Sequence, residues 1–422
     1  MHQRTVAFHT LGCKLNFSET SMLSRQLESD GFLKKDFNDV ADVYVINTCS
    51  VTENADKECR QLVRRIQRKS PDSLVVITGC YAQLKPKQIA EIPGVDLVLG
   101  AAEKFNLTSH LKELTKGDSA RISSCDIEHV SGFHPSYSVS DRTRSFLKVQ
   151  DGCDYNCSFC TIPMARGRSR SDSIQNVMSN VNKLAERGVK EIVLTGVNLG
   201  DFGKDPSGNR RESTFFDLVR QLNEVRRIDR FRISSIEPNL LSRDIIELVA
   251  TSERFMPHFH IPLQSGSNEV LGLMRRRYKR ELYAEKIAMI KSLMPHCAIG
   301  VDVIVGFPSE SAVHFSETYE FLQELDVSYL HVFTYSEREG TKAVAMNGVV
   351  PVNLRHERNK VLRQLSYQKM QEFTSQHRGA TRKVLFEDSD KNGLMEGYSD
   401  NYIRVSTPYR SEWANRIVDW VI

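Results

Sequence analysis

Three cysteines lie within one short segment of this chain, and they constrain it more than any other feature. Cys153, Cys157 and Cys160 form a C-x3-C-x2-C pattern in DGCDYNCSFCTIP, directly after an apolar, strand-like run. Three thiolates at this spacing can hold three irons of a 4Fe-4S cluster and leave the fourth iron open to a small molecule. A structural zinc site needs four ligands, and no fourth Cys or His follows at zinc-finger spacing. The pattern therefore favours a catalytic iron-sulfur cluster over a zinc knuckle.

The composition limits the class of protein. A chain of 422 residues exceeds one ordinary core, so we expect two or three domains. The 57 basic and 53 acidic residues give a net charge of only +4, so any nucleic-acid partner has to be argued from local clusters. No apolar run approaches the roughly 20 residues of a membrane helix, which predicts a cytoplasmic protein without membrane contact. In a reducing compartment, nine cysteines are better candidates for metal ligands than for disulfides.

The first hundred residues contain a second group of cysteines. Apolar, β-rich runs alternate there with amphipathic helical stretches, the pattern of a parallel sheet with crossover helices. Cys13, Cys49 and Cys80 each follow one of these runs. Ligands bind at the carboxyl ends of strands in open α/β sheets, so the three thiols are predicted to converge on an auxiliary cluster. Taken singly, each is more often a buried core cysteine.

The periodicities predict an α/β protein with five segments. They are an α/β domain at 1–114, a linker at 115–141, a core of six βα units at 142–350, a connecting helix at 351–378 and a small β unit at 379–422. Six βα units in series favour a complete or partial barrel with its active site at the carboxyl ends of the strands. Period-two alternation in KVLFE, NYIRVST and IVDWVI predicts a small β-barrel or sheet at the end of the chain.

The remaining cysteines and motifs give little information about function. Cys59, Cys125 and Cys297 are assigned to ordinary packing or exposure. A Walker loop, a nucleophile elbow and a dinucleotide-binding fingerprint are all absent from the sequence, which disfavours those enzyme classes.

Across nearly its whole length the chain resembles the methylthiotransferase family of radical S-adenosylmethionine enzymes. GCKLNFSE, NTCSVTENADKECRQ and TGCYAQ resemble the amino-terminal domain of that family, and FLKVQDGCDYNCSFCTIPMARGRSRS resembles its radical core. LTGVNLG, HIPLQSGSNEVLGLMRRRY, DVIVGFPSE and HVFTYSEREGTKA are further matches. The unit at 379–422 is positioned like the TRAM RNA-binding domain but is shorter. GCK, TGCYAQ and YLHVFTYS are similar to the MtaB type, whereas the isopentenyladenosine branch typically has GCQMN.

The resemblance implies an enzyme that inserts a methylthio group at carbon 2 of N6-threonylcarbamoyladenosine at position 37 of tRNA. Two S-adenosylmethionine molecules are implied, one as methyl donor and one as radical source. By the same resemblance Cys153, Cys157 and Cys160 hold the 4Fe-4S cluster that cleaves the cofactor, and a second 4Fe-4S cluster, carrying the sulfur, is held by Cys13, Cys49 and Cys80. The implied partners are tRNA, a low-potential reductant of the flavodoxin or ferredoxin type, and a sulfur donor.

The resemblance also implies contacts with S-adenosylmethionine. Phe159 belongs to the cysteine pattern, and Gly196, Gln264 and the backbone near Ile304 line the cofactor cleft in related folds. Each of the last three also has a structural interpretation, since Gly196 suits a turn, Gln264 a loop cap and Ile304 a strand core.

Three basic clusters are candidates for RNA phosphate contacts. They are Arg60, Arg64, Arg65 and Arg68; Arg275, Arg276, Arg277 and Arg280; and Arg378, Arg382 and Lys383. A charge run is usually only a solvated face. Tyr398, Tyr402 and Trp413 are either stacking platforms for bases or the small core of the final β unit.

Other functions remain open at the level of the sequence. The same chemistry on isopentenyladenosine in tRNA, or on an aspartate of a ribosomal protein, uses the same cysteines, and a non-catalytic electron carrier is a more distant alternative. The basic tail favours RNA over protein, and the open iron with Phe159 favours catalysis, because electron carriers usually give each cluster four protein ligands. Both clusters must then face one cavity, since a radical and the group that traps it have to meet at near-contact distance.

Overall fold

The computed structural model describes residues 3–50, 53–117, 119–130, 132–139 and 143–422. The predicted boundary at 141/142, and Val51 and Thr52 of the NTCSVTENADKECRQ motif, lie outside these residues. Within the described ranges, no helix has the length and apolar character needed to cross a membrane.

The first domain is a parallel sheet between two layers of helices. Its strands are β1 (Thr5–Thr10), β2 (Leu33–Lys35), β3 (Val43–Thr48), β4 (Leu74–Gly79), β5 (Leu97–Leu99) and β6 (Arg121–Ser123). Its helices are α1 (Lys14–Ser29), α2 (Glu53–Lys69), α3 (Cys80–Leu84), α4 (Pro86–Ala90) and α5 (Leu107–Glu113). In the described part of the chain the strand order is β2-β1-β3-β4-β5-β6. Alternate residues serve opposite layers, because Val43 and Val45 pack with α1 whereas Tyr44 and Ile46 pack with α2.

The core that follows repeats the β/α unit. Its strands are β7 (Ser136–Tyr137), β8 (Arg144–Lys148), β9 (Gln150–Asp151), β10 (Arg170–Ser171), β11 (Glu191–Thr195), β12 (Arg230–Ile233), β13 (His258–His260), β14 (Ala298–Val305) and β15 (Tyr329–Thr334). Its helices are α6 (Ile162–Arg166), α7 (Ile174–Glu186), α8 (Phe215–Asn223), α9 (Arg243–Thr251), α10 (Asn268–Leu273), α11 (Arg280–Leu293), α12 (Ala312–Glu324) and α13 (Val352–Gln376).

The parallel strands of the core follow one another in chain order. β8, β11 and β12 pair in parallel, and so do β13, β14 and β15. Parallel bridges from Phe231 to Phe255 and from Ser235 to His260 join the two groups. In the described residues β8 and β15 do not pair with each other. The core is therefore a barrel with one open side.

The segment at 115–141, predicted as an irregular linker, contributes a strand to each domain. β6 pairs in parallel with β5, and β7 pairs antiparallel with β8. These strands have only three and two residues, which is too short for a period-two pattern to emerge from the sequence.

The first domain and α13 cover the two edges of the open barrel. On the β8 side, the Phe17 ring of α1 contacts Phe146 edge-on at 5.6 Å. On the β15 side, Asn359 Nδ2 of α13 donates to the Val332 carbonyl at 3.1 Å. The cysteine-bearing edge of the first domain is thereby held beside the barrel.

The chain ends in an antiparallel sheet. Its strands are β16 (Thr381–Phe386), β17 (Leu394–Ser399), β18 (Arg404–Pro408) and β19 (Ile417–Val421), in the order β18-β17-β16-β19. The sequence pattern does not predict β17 because its buried face carries Met395, Gly397 and Ser399, of which only one is apolar and large. Gly397 is needed there, since a Cβ at this position would lie 2.7 Å from Val384 Cγ1.

Candidate active site between two cysteine loops

The loop between β9 and α6 carries Cys153, Cys157 and Cys160, and each of their sulfurs accepts a hydrogen bond. The donors are the Tyr155 amide at 3.4 Å, Arg276 Nη1 at 3.1 Å and the Ile162 amide at 3.4 Å. Burial raises the pKa of Cys153 and Cys160 to about 12, so a bound metal has to displace their protons. Hydrogen bonds to sulfur are typical of cluster thiolates, because they stabilise the negative charge. The donor set fits a 4Fe-4S cluster with one open iron.

A cavity of about 220 Å³ lies beside Cys160. Three of the four predicted cofactor contacts, Phe159, Gln264 and Ile304, line it. Gln264 has a φ of +68°, a conformation that residues other than glycine rarely adopt and that concentrates at functional sites. Gly196 lies outside the cavity lining and packs against Gln150, whose Oε1 would be 2.9 Å from a Cβ at that position.

The first domain places its three cysteines at one edge of its sheet. β1, β3 and β4 are neighbours, and Thr48 at the end of β3 is in register with Gly79 at the end of β4. Cys49 and Cys80 follow these aligned ends and are buried, whereas Cys13 precedes α1 and is exposed. Burial raises the pKa of Cys80, and the nearby Cys13 thiol raises it further. The structure therefore brings together at this edge the three cysteines that the sequence singled out.

Three of these six cysteines follow a glycine that no other residue can replace without strain. Gly12, Gly79 and Gly152 have φ values of +96°, +98° and +68°. A Cβ would lie 2.5 Å from Cys49 Cβ at Gly12, 2.3 Å from the Thr48 carbonyl oxygen at Gly79, and 2.0 Å from the Arg168 carbonyl oxygen at Gly152. The repeated Gly-Cys dipeptide is thus a sequence signal for these turns.

Two arginines that sequence reasoning missed connect the cysteine loops. Arg166, in α6 after the core cysteines, donates from Nη2 to Asn16 Oδ1 of α1 at 2.5 Å. Arg338 lines the cavity beside Cys160 and donates from Nη2 to Ser50 Oγ at 2.5 Å and to Asp56 Oδ2 at 3.0 Å. Each arginine therefore joins the radical core to the first domain next to a cysteine.

A polar cluster of His260, Asp302 and His331 lies on the inner face of the barrel. His260 Nε2 is 2.9 Å from Asp302 Oδ1, and the rings of His260 and His331 stack at 5.3 Å. Burial opposes ionisation of Asp302, but the two histidines outweigh it and lower the pKa of Asp302. Asp302 also lines the cavity beside Cys160. The sequence did not reveal this cluster because its members come from three different strands.

The predicted RNA contacts fall into different environments. Arg64, Arg65 and Arg68 are exposed along one face of α2, as are Arg275 and Arg277 on the core. Lys383 is exposed as well, whereas Arg382 pairs with Asp400 at 3.1 Å.

Arg276 is a correction to the sequence prediction. Its side chain is 4% exposed, donates to Cys157 Sγ, and pairs with the carboxylate of Glu237. A guanidinium committed to a cluster cysteine and a buried carboxylate is not available to an RNA phosphate.

Comparisons with known proteins identify the family of the chain. Residues 5–100 match the model of the uncharacterized protein family UPF0004, and residues 147–322 match that of the radical SAM superfamily. The threonylcarbamoyladenosine tRNA methylthiotransferase MtaB of Bacillus subtilis (strain 168) is 39% identical, with coverage of 98% of this chain and 92% of the relative. MtaB of Aquifex aeolicus (strain VF5) is 39% identical, with 94% and 95% covered. A tRNA-2-methylthio-N(6)-dimethylallyladenosine synthase of Clostridium botulinum (strain Hall) is 32% identical, with 91% and 86% covered.

Solved structures share the fold. The radical S-adenosylmethionine methyltransferase TsrM from Kitasatospora setae matches with a TM-score of 0.56 and 16% identity, over 81% of this chain and 77% of that one. The cobalamin-dependent radical enzyme OxsB matches with a TM-score of 0.51 and 14% identity, over 87% and 56%. At these identities the likeness concerns the fold alone.

The fold and the match of residues 147–322 define the class: a radical S-adenosylmethionine protein with an added amino-terminal α/β domain. Within that class, identities of 35–39% over nearly the full chain show that the protein belongs to the MtaB-type methylthiotransferase family. The cofactors of the family are S-adenosylmethionine, a 4Fe-4S cluster in the radical core and a second iron-sulfur cluster in the first domain.

Proposed function

We propose that this enzyme inserts a methylthio group at carbon 2 of N6-threonylcarbamoyladenosine at position 37 of tRNA. One observation carries the proposal: each cysteine group borders the other domain. Arg338, which lines the cavity beside Cys160, donates to Ser50 next to Cys49, and barrel residues line the cavity that contains Cys13. Paired strands reach both cavities, because His258 of β13 lines the cavity at Cys13 and Asp302 of β14 lines the cavity at Cys160. The names of the 39% identical relatives support the choice of nucleoside.

In this proposal the chain holds two clusters and one cofactor. Cys153, Cys157 and Cys160 bind the first cluster, and Cys13, Cys49 and Cys80 bind the second. When bound, these groups supply the methyl group, the radical and the sulfur. The remaining work is done by the protein: amide and guanidinium donors orient the core thiolates, the backbone at Gln264 and Ile304 shapes the cofactor cavity, and Phe159 excludes water.

RNA binding is proposed for basic side chains that are exposed on all three units. Arg64, Arg65 and Arg68 on α2, Arg275 and Arg277 on the core, and Lys383 on the final sheet suit contacts with phosphate. The final sheet is proposed to act as a short TRAM-like unit, with Tyr398 and Tyr402 on its inward side. A low-potential reductant and a sulfur donor are the remaining proposed partners.

Two measurements test the proposal. Anaerobic reconstitution of the full chain should give about eight irons, and the triple variant Cys13→Ala, Cys49→Ala, Cys80→Ala should retain about half of them. If the unchanged protein binds only about four irons, the auxiliary cluster is absent and the proposal is contradicted. For the substrate, the reconstituted enzyme is given anticodon stem-loops that carry threonylcarbamoyladenosine or isopentenyladenosine, and the nucleosides are analysed by mass spectrometry. A methylthio product from only the isopentenyl stem-loop would contradict the assignment.

A further inference from the structure

A second cavity, of about 320 Å³, lies where the first domain, the barrel and the final sheet meet. Its lining includes Cys13 and Lys14 of the first domain, Arg144 and Arg232 of the barrel, and Tyr402 of the final sheet. We call this cavity the cationic recess. Because Cys13 lines it, the recess lies next to the proposed auxiliary cluster. The cluster chemistry does not by itself require the basic side chains of the recess.

The charges that line the cationic recess do not balance. Lys14, Arg144 and Arg232 line it, whereas no Asp or Glu among the described residues does. Outside the recess, Arg232 Nε pairs with Glu191 at 3.0 Å, and Arg144 Nη2 pairs with Glu387 at 3.2 Å.

Lys14 is the cation without such a partner. In the described part of the structure no carboxylate oxygen lies within ion-pair distance of Lys14 Nζ. A cation held among other cations in a confined, partly dry space is destabilised unless an anion joins it. The recess is therefore shaped by charge to receive an anionic group.

The aromatic walls support the same conclusion. The guanidinium carbon of Arg232 lies 4.9 Å from the ring centre of Tyr402, and that of Arg144 lies 5.9 Å from it. Tyr402 has a φ of +70°, a strained conformation that places its ring at this meeting point. Burial alone would raise the pKa of Tyr402, but Arg144, Lys14 and Arg232 outweigh it and lower this pKa, which reports the positive field inside the recess.

We propose that the cationic recess binds the threonine carboxylate on the N6 substituent of the substrate adenosine, with Lys14 as a residue that determines specificity. The inference rests on the proposed function and extends it from the reaction to the recognition of the modified base. Carbon 2 is an atom of the same six-membered ring whose carbon 6 carries the substituted nitrogen, so a site for the substituent has to lie close to the cysteines that hold the sulfur. A volume of about 320 Å³ between three units suits one side-chain-sized group. A neutral alkyl substituent would leave the charge of Lys14 offset only by Tyr402 and by Asp302, which lies beyond ion-pair distance.

The test compares three anticodon stem-loops on the reconstituted full-length enzyme. They carry threonylcarbamoyladenosine, its carboxyl methyl ester, or unmodified adenosine at the same position, and the Kd of each is measured by fluorescence anisotropy. The unchanged enzyme should bind the acid about tenfold more tightly than the ester, as expected for a charge-assisted contact. In Lys14→Gln this preference should disappear, with binding of the unmodified stem-loop unchanged. Lys360→Gln, altered at an exposed lysine of α13, is the matched control and should keep the preference.

The outcomes separate this inference from the proposed function. If the unchanged enzyme binds the acid and the ester equally but still forms the methylthio product, the carboxylate site is refuted and the proposed function stands. If Lys14→Gln lowers the affinity for all three stem-loops equally, Lys14 contacts an RNA phosphate, and this result also overturns the inference. Iron content is measured in every variant, because Lys14 follows Cys13, and an unchanged content excludes cluster loss as the cause. Absence of any methylthio product from the acid stem-loop would instead refute the proposed function.

Discussion

Glu19 of α1 has no exposed surface, and it lies where the first domain meets the barrel. Lys104 Nζ is 2.8 Å from one of its oxygens, and Lys148 Nζ and Arg166 Nη1 are 3.0 and 3.1 Å from the other. Burial raises the pKa of Glu19, but Arg166, Lys104 and Lys148 outweigh burial and hold this pKa well below its usual range. Lys148 and Arg166 belong to the barrel, so this carboxylate helps to hold the two domains together.

A Glu19→Gln variant should be less stable, with a defined pH dependence. Removing the carboxylate leaves Lys104 without its ion-pair partner, and Lys148 and Arg166 keep only Asp151. This loss should lower the free energy of unfolding by about 3 kcal/mol at neutral pH. The pKa of Glu19 is lower in the folded than in the unfolded chain, where it is about 4.3. Its stabilisation is therefore complete above about pH 5 and decreases as the pH falls through 4.

The measurement is chemical denaturation of both proteins at neutral pH and at about pH 3.5. The difference between them should be smaller at the acidic pH. Glu285→Gln, at an exposed carboxylate of α11, is the control and should have little effect at either pH. A difference that does not change with pH would contradict an ionised Glu19.

At the scale of the elements, the turns before the cysteines depend on glycine. Gly79 ends β4 with a φ of +98°, and its missing side chain leaves room for the Thr48 carbonyl of β3. Gly31 has a similar φ of +91°, but no atom lies within 4 Å of the position of a Cβ. Substitution of Gly31 therefore tests backbone strain alone, whereas substitution of Gly79 tests backbone strain together with a steric clash.

Gly31→Ala should cost about 1 kcal/mol of stability, the price of a left-handed conformation. Gly79→Ala should cost several kcal/mol, because the added carbon would also collide with the backbone of β3. It should also lower the reconstituted iron content toward half, since Cys80 follows directly. Denaturation and iron analysis of both variants test this. Equal effects of the two substitutions would show that close packing at Gly79 is unimportant.

At the scale of the whole molecule, the final sheet forms its own hydrogen-bonded unit and packs closely against the barrel. Arg230 Nη2 of β12 donates to the Lys383 carbonyl at 2.6 Å, and Arg232 Nη1 donates to the Asp400 carbonyl at 3.2 Å. Ile403 is buried in one hydrophobic cluster with Ala298, at the start of β14, and Phe373 of α13. The sheet therefore supports the inner face of the barrel at the cationic recess.

A chain that ends at residue 378 should consequently lose stability as well as RNA affinity. We expect a Tm lower by at least about 5 °C than that of the full chain, because buried apolar contacts and arginine hydrogen bonds are lost together. Differential scanning calorimetry of both proteins checks this, with the full-length variant Arg404→Gln, changed at an exposed residue of β18, as control. An unchanged Tm would show that the sheet is an independent appendage.

The sequence by itself predicted the α/β class of the fold and singled out the six cysteines that the structure places in two groups. Continuous apolar runs alternating with amphipathic helices predicted the parallel sheet of the first domain, because the central strands β1, β3 and β4 are each six residues long. The spacing of Cys153, Cys157 and Cys160 needed no structure, since all three lie in one loop. The family followed from motifs spread along the chain, and the comparisons confirm it.

Only the tertiary structure decided which distant residues meet. Arg276 stands in a basic run that resembles an RNA contact, yet the folding of the barrel turns it toward Cys157. The cationic recess brings together Lys14 of the first domain and Tyr402 of the final sheet. The strands β6 and β7 are too short to show a periodic pattern of apolar residues in the sequence. Local sequence encodes periodicity and turn chemistry, whereas contacts across hundreds of residues depend on how the domains pack, and no local pattern specifies that.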